Sequence, residues 1–146
     1  MMDAALTWYQ NSGVASAVGN SPTITAVLSA FHALGFTFIM GGALFANLGT
    51  LRLLFPSRPV GEMAGPGSWL IALGLVLSVP TGLLLFGPRA VAAAHNSTFQ
   101  LKLLLILVAS AVQFGLLRRG TRAVGGLGLV LWVSLALTAC AFILLE

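Results

Sequence analysis

Hydrophobic residues run along this chain in long blocks and do not alternate with polar ones. Charges interrupt them only at Asp3, Arg52, Arg58, Glu62, Arg89, Lys102, Arg118, Arg119, Arg122 and Glu146. Uncharged stretches therefore extend from Ala4 to Leu51, Met63 to Pro88, Leu103 to Leu117 and Ala123 to Leu145. A bilayer core about 30 Å thick is crossed by roughly 20 residues rising 1.5 Å each. Each stretch supplies one such helix, provided the third begins near residue 98 and carries Lys102 at its rim. The pattern predicts a single membrane domain with spans at about 22–55, 68–86, 98–117 and 126–145. A membrane β-barrel would show alternation within each segment, and these blocks are continuously apolar. Short connections make consecutive helices antiparallel neighbours. The expected fold is an all-α integral membrane protein, an antiparallel four-helix transmembrane bundle.

Local signals mark the ends of these helices. Ser21 followed by Pro22 reads as a helix start, because proline at the first helical position lacks only an N–H that had no partner there. Pro56 should stop the first span. Pro80 frees the carbonyl of Val76 and predicts a kink in the second. Ser97 with Gln100 three residues on reads as a capping box for the third. The first 21 residues lack the basic start and apolar run of a signal peptide. They are expected outside the membrane, with Trp8 and Tyr9 at headgroup depth.

Composition strengthens this picture. Ten charged residues among 146, with 58% hydrophobic and a mean hydropathy of +1.02, exclude a soluble globule, in which about a quarter of residues are charged. They equally exclude a disordered chain, which needs low hydrophobicity. The pI near 10.8 is not a nucleic-acid signature, since five of the seven basic residues fall in two short loops. Arg52 and Arg58 lie in one, Arg118, Arg119 and Arg122 in the other. Basic loops mark the cytoplasmic side, so both termini are expected outside. The lone Cys140 cannot form an intrachain disulfide.

Polar groups inside spans carry the candidate chemistry, because lipid penalises them unless they face an interior site. His32 lies about ten residues into the first span, on a face of small and polar residues that includes Thr25, Ser29 and Gly35. It is either a neutral ring bonded to a facing carbonyl or hydroxyl, or an axial haem ligand or proton-transfer group. Lys102 either snorkels to the interface or holds an anion such as a haem propionate. It shares a stripe with Ile106, Ala109 and Gln113. Arg89 and His95 flank the same outer opening, so two histidines, a lysine and an arginine are expected to converge there. Gly42 and Ala46 have small-xxx-small spacing and predict close helix packing, while Asn47, Ser78, Thr81, Ser134 and Thr138 are candidates for interhelical hydrogen bonds. The sequence has no zinc-spaced His/Cys cluster, phosphate loop, intramembrane carboxylate or serine–histidine–acid set.

Two segments resemble a known group. FHALGFTFIMGGALFANLGTLRLL, with His32 early and Arg52 at its end, resembles the first helix of small bacterial membrane proteins related to the copper-resistance D type. NSTFQLKLLL resembles the Asn-x-x-Phe-x-x-Lys opening of an uncharacterised four-helix branch of that group. A similar first-helix His and third-helix Lys pair occurs in HemJ-type protoporphyrinogen oxidases. The resemblance implies a multi-pass protein of the bacterial inner membrane, with His32 as haem ligand or catalytic histidine and Lys102 as its polar partner. Where the oxidase pattern has Trp before Lys, this chain has Phe99, Gln100 and Leu101. The abundance of Met and His expected of a copper importer is also missing.

The expected function is thus the binding of haem b or a quinone in redox work, in an outer-leaflet pocket around His32 and Lys102, with Arg89 and His95 as further contacts. Partners are the bilayer and either further copies or a larger membrane complex, and no nucleic acid. The alternatives are a non-catalytic accessory subunit and small-solute or copper transport.

Overall fold

The computed structural model describes residues 2–117 and 120–145, with side chains to residue 141; Arg118, Arg119 and Glu146, which the charge argument used, lie outside the described residues. Four long helices form a bundle: α3 (Pro22–Thr50), α4 (Val60–Phe86), α6 (Ser97–Ala111, extended by a π-helical turn at Val112–Leu116) and α7 (Arg122–Leu145). All four are long and apolar enough to cross a membrane. The chain is a multi-pass membrane protein. Three shorter helices, α1 (Met2–Gln10), α2 (Gly13–Asn20) and α5 (Ala90–His95), lie together at one end. This is the cap end. At the opposite, arginine end the α3–α4 and α6–α7 connections meet, with Gly120 against Val60.

The α3 helix starts as its sequence predicts. Ser21 Oγ accepts from the Ile24 N–H at 3.3 Å, and Pro22 follows it at the first helical position. The helix ends at Thr50, five residues short of the expected Phe55. There the Arg52 N–H bonds the Gly49 carbonyl and the Leu53 N–H the Leu48 carbonyl, each at 3.0 Å. This is a Schellman closure, which requires a left-handed residue and usually takes glycine. Here Arg52 adopts it, with φ 60°. No glycine announces the stop, so Pro56 falsely looked like the terminator.

The α4 helix begins at Val60, eight residues before the expected Ser68, and contains both Pro66 and Pro80. Pro66 is the seventh residue, beyond the four donors that lack partners, so like Pro80 it removes one backbone bond, here to the Glu62 carbonyl. The third span also starts differently from the capping-box reading. Asn96, not Ser97, caps α6, its Oδ1 accepting from the Thr98 and Phe99 N–H groups at 2.8 and 3.2 Å. Gln100 reaches back instead to the Ala94 carbonyl at 2.8 Å.

The tightest packing joins α3 to α4 through glycines spaced seven apart. A methyl on Gly42 would lie 2.5 Å from the Gly67 carbonyl oxygen, and one on Gly67 would lie 2.7 Å from that of Gly42. One turn-pair nearer the cap, a methyl on Gly74 would lie 2.5 Å from the Gly35 carbonyl oxygen. Gly49 meets the Met63 side chain in the same row. Small residues at these positions let two backbones touch, which is the main source of helix association where lipid removes the hydrophobic drive. Next to this pair α7 packs on α3 and on α6, around Ile39, Ala43, Ile71, Ala109, Trp132 and Leu135. The backbones of α4 and α6 barely approach each other. Side chains alone bridge them.

Candidate functional site

Two polar layers cross the bundle, one in each half. In the arginine-end half, buried Asn47 and Gln113 meet Trp132 and Ser68. Gln113 Oε1 accepts from Asn47 Nδ2 at 3.2 Å and from Trp132 Nε1 at 3.3 Å, and Gln113 Nε2 donates to Ser68 Oγ at 2.9 Å. Asn47 Nδ2 also donates to the Ala43 carbonyl at 2.8 Å. All four spans contribute to this network. Gln113 sits in the π-helical turn, whose extra residue per turn shifts its side chain relative to the α-helical stripe below. Asn47 Oδ1 has no hydrogen-bond partner and rests on the bare Cα of Gly128, a place for a weak Cα–H contact. The stripe of Lys102 and Gln113 was legible in the sequence. That Gln113 would gather residues from three other helices was not.

The cap-end layer is built on His32. Its Nδ1–H donates to the Ser78 carbonyl at 2.9 Å, with Thr81 Oγ1 at 3.2 Å from the same nitrogen. Ser78 Oγ returns the bond to the His32 carbonyl at 3.2 Å. Thr81 donates its own proton to the Leu77 carbonyl at 2.7 Å. Gly82 provides the space for the ring, since a methyl there would lie 2.9 Å from Cε1. The assigned tautomer places the proton on Nδ1 and leaves Nε2 as a lone-pair acceptor. No described residue bonds Nε2. The bond to a facing carbonyl expected of a neutral ring is present, made by Nδ1 to Ser78.

Lys102 is half-buried in the second turn of α6. It makes no hydrogen bond or ion pair with a described residue. One turn closer to the cap, Phe99 of α6 stacks on Phe86 of α4 with ring centroids 5.2 Å apart. Tyr9 of α1 stacks on the other side of Phe86 at 6.4 Å and donates its hydroxyl proton to the Leu83 carbonyl at 2.9 Å. This aromatic ladder joins α1, α4 and α6 at the cap end.

The other two expected contacts are not brought to His32. His95 ends α5, where Nδ1 bonds the Val91 carbonyl at 2.9 Å and Nε2 lies 3.6 Å from Asp3 Oδ1 on α1. Both ring nitrogens are engaged within the cap, and 92 residues separate the partners in sequence. Arg89 lines a separate polar cleft against α2. Of the four residues expected to converge, His95 and Arg89 therefore lie in the cap with other surroundings. Met40 packs against the apolar core. Among the described residues, no group of three His, Cys, Asp or Glu side chains could hold a metal ion by itself.

Compared with protein-family models, characterised proteins and solved structures, the chain matches none. The comparisons thus identify no family, and the likeness to the copper-resistance D group rests on its two short motifs alone.

Proposed function

We propose that this protein binds a membrane-dissolved redox cofactor, haem b, through His32 Nε2, with Lys102 as the partner of an anionic substituent. One observation carries the reading: the Nδ1–H bond to the Ser78 carbonyl fixes the ring and leaves the Nε2 lone pair unengaged. Histidines that ligate metals commonly donate their other ring N–H to a carbonyl or carboxylate, which sets the tautomer and raises ligand basicity. The donor set fits haem to this extent, with one imidazole as the iron ligand and one ammonium suited to a propionate. Bound haem would supply one-electron transfer. Ser78 and Thr81 orient the ring, and Gly82 leaves it room.

A quinol is the second reading, supported by the same tautomer. An Nε2 acceptor suits a quinol hydroxyl, and the Lys102 ammonium suits a carbonyl oxygen of the oxidised quinone. The accessory-subunit reading has less support, because the exposed apolar faces of the helices are what lipid contact requires. The arginine-bearing connections at one end favour a bacterial plasma membrane with both termini outside. Labelling of single cysteines at Ser57 and Asn11 from either side of vesicles would reverse that orientation if Ser57 reacts from outside.

The deciding experiment is a visible spectrum of the detergent-purified protein expressed with haem available. A Soret band lost in His32→Ala and weakened in Lys102→Gln is expected. A colourless protein whose solvent extract contains stoichiometric quinone, lost in the same variants, moves the assignment to quinol. Neither chromophore nor quinone at stoichiometry overturns the redox reading.

A further inference from the structure

A second site lies in the cap, away from His32. Between α2 and the turn Gly87–Arg89 is a surface cleft of about 340 Å³. That volume is at the low end of ligand pockets, about 300–1,000 Å³. Its polar lining is Gln10, Asn11, Ser16, Asn20 and Arg89. No acidic side chain is among the lining residues. The guanidinium of Arg89 makes no ion pair or hydrogen bond to a described residue, and the same holds for the side chains of Asn11, Ser16 and Asn20. Gln10 has its Oε1 committed to the Val91 N–H at 3.1 Å, which turns its amide donors to other use. The lining is therefore rich in donors, singly positive and unspent.

The cleft is also shaped firmly. Gly19 packs on Pro88 and Gly87 on Ala15, so α2 is seated against the turn by close contacts. Thr25 Oγ1 ties α3 to the Val18 carbonyl at 2.7 Å. The cleft thus stands over the point where α3 begins and α4 ends, at the cap end of the spans. Arg89 is at the end opposite the arginine-bearing connections, so the positive-inside tendency gives no reason for a cation there.

The geometry points to a phosphate-ester site in this cleft: Arg89 binds the phosphate oxygens and the Asn11, Ser16 and Asn20 side chains complete the donor set. Arginine's planar fork matches phosphate geometry, and bonds to an ionised acceptor are about twice as strong as neutral ones. Two sources offer that chemistry: the headgroup of an anionic phospholipid in the adjoining leaflet, and a soluble phosphate ester. The site does not depend on what binds His32.

Native mass spectrometry of the full chain in detergent tests it, with phosphatidylglycerol, phosphatidylcholine and glycerol phosphate as probes. Wild type should retain phosphatidylglycerol over phosphatidylcholine. Arg89→Gln should weaken that retention about tenfold, Asn20→Ala less, and Arg89→Lys should restore part of it. Arg58→Gln, at the other end, should leave it unchanged. Displacement of the lipid by glycerol phosphate at comparable concentration would assign the soluble source, and resistance to it the lipid. Circular dichroism and thermal unfolding report whether Arg89→Gln is folded, and Asn20→Ala provides an independent probe if it is not. Folded Arg89→Gln and Asn20→Ala proteins that both bind every probe like wild type would overturn the site.

Discussion

The two polar layers differ in how their bonding capacity is used. In the arginine-end half, Asn47, Ser68 and Trp132 all bond Gln113, so that every side chain has a partner and among their atoms only Asn47 Oδ1 lacks one among the described residues. In the cap-end half, His32 bonds α4 through one nitrogen, while Nε2 and the Lys102 ammonium meet no described partner. Polarity inside a membrane is therefore not by itself a sign of function. The closed layer joins four helices. The open one retains groups with which a ligand can bond.

The largest expected effect falls on what both halves share. Gly42→Val should push α3 away from the Gly67 backbone and cost about 3 kcal/mol, the upper range for overpacking. Equilibrium unfolding in mixed micelles should show it, together with loss of any bound ligand. A change below about 1 kcal/mol would mean that the helices do not depend on this contact.

Gln113→Leu separates the halves. It leaves the Trp132 N–H and Ser68 hydroxyl without their partner, at a cost of about 2 kcal/mol, yet should leave a Soret band or bound quinone in place. If stability holds while the ligand is lost, the closed layer has been assigned the wrong role. Arg52→Gly lies outside both layers and should stabilise by about 1 kcal/mol, because glycine accepts the left-handed conformation that arginine is forced into. Unfolding at unchanged or lower denaturant would show that the arginine has compensating contacts. His32→Ala is expected to have the smallest effect on stability, about 0.6 kcal/mol, the mean for an interhelical hydrogen bond in a membrane, and the greatest on ligand content. A loss of several kcal/mol would make His32 a structural clasp.

Much of the fold was legible in the sequence. Long uncharged blocks need no tertiary knowledge to be read as spans, and the Ser21–Pro22 start is a local signal satisfied by a local bond. The helix ends were less so. Arg52 closes α3 in a conformation that its side chain disfavours, and Asn96 takes the cap that Ser97 and Gln100 had suggested. Gly42 and Ala46 announced close packing, but not that Gly35 and Gly74 would continue the row on two helices. The candidate site was half visible. His32 and Lys102 were singled out by their cost in lipid, whereas Ser78 as the orienting carbonyl, Gly82 as the space for the ring and the Asp3–His95 pairing depend on contacts between distant parts of the chain. Gln113 was visible as a polar residue on the Lys102 stripe, but nothing in VQFGL marks the π-helical turn that brings it to Asn47, Ser68 and Trp132.

The glycine row has a mechanical consequence. Two helices whose carbonyls interlock cannot slide or separate without climbing over one another, so α3 and α4 behave as one stiff plate that carries the imidazole. The α6 helix meets that plate across α4 through the Phe86–Phe99 stack near one end and the Gln113–Ser68 bond near the other, with Leu105, Ile106 and Ala109 sharing the apolar core with Ile71 and Leu75 between them.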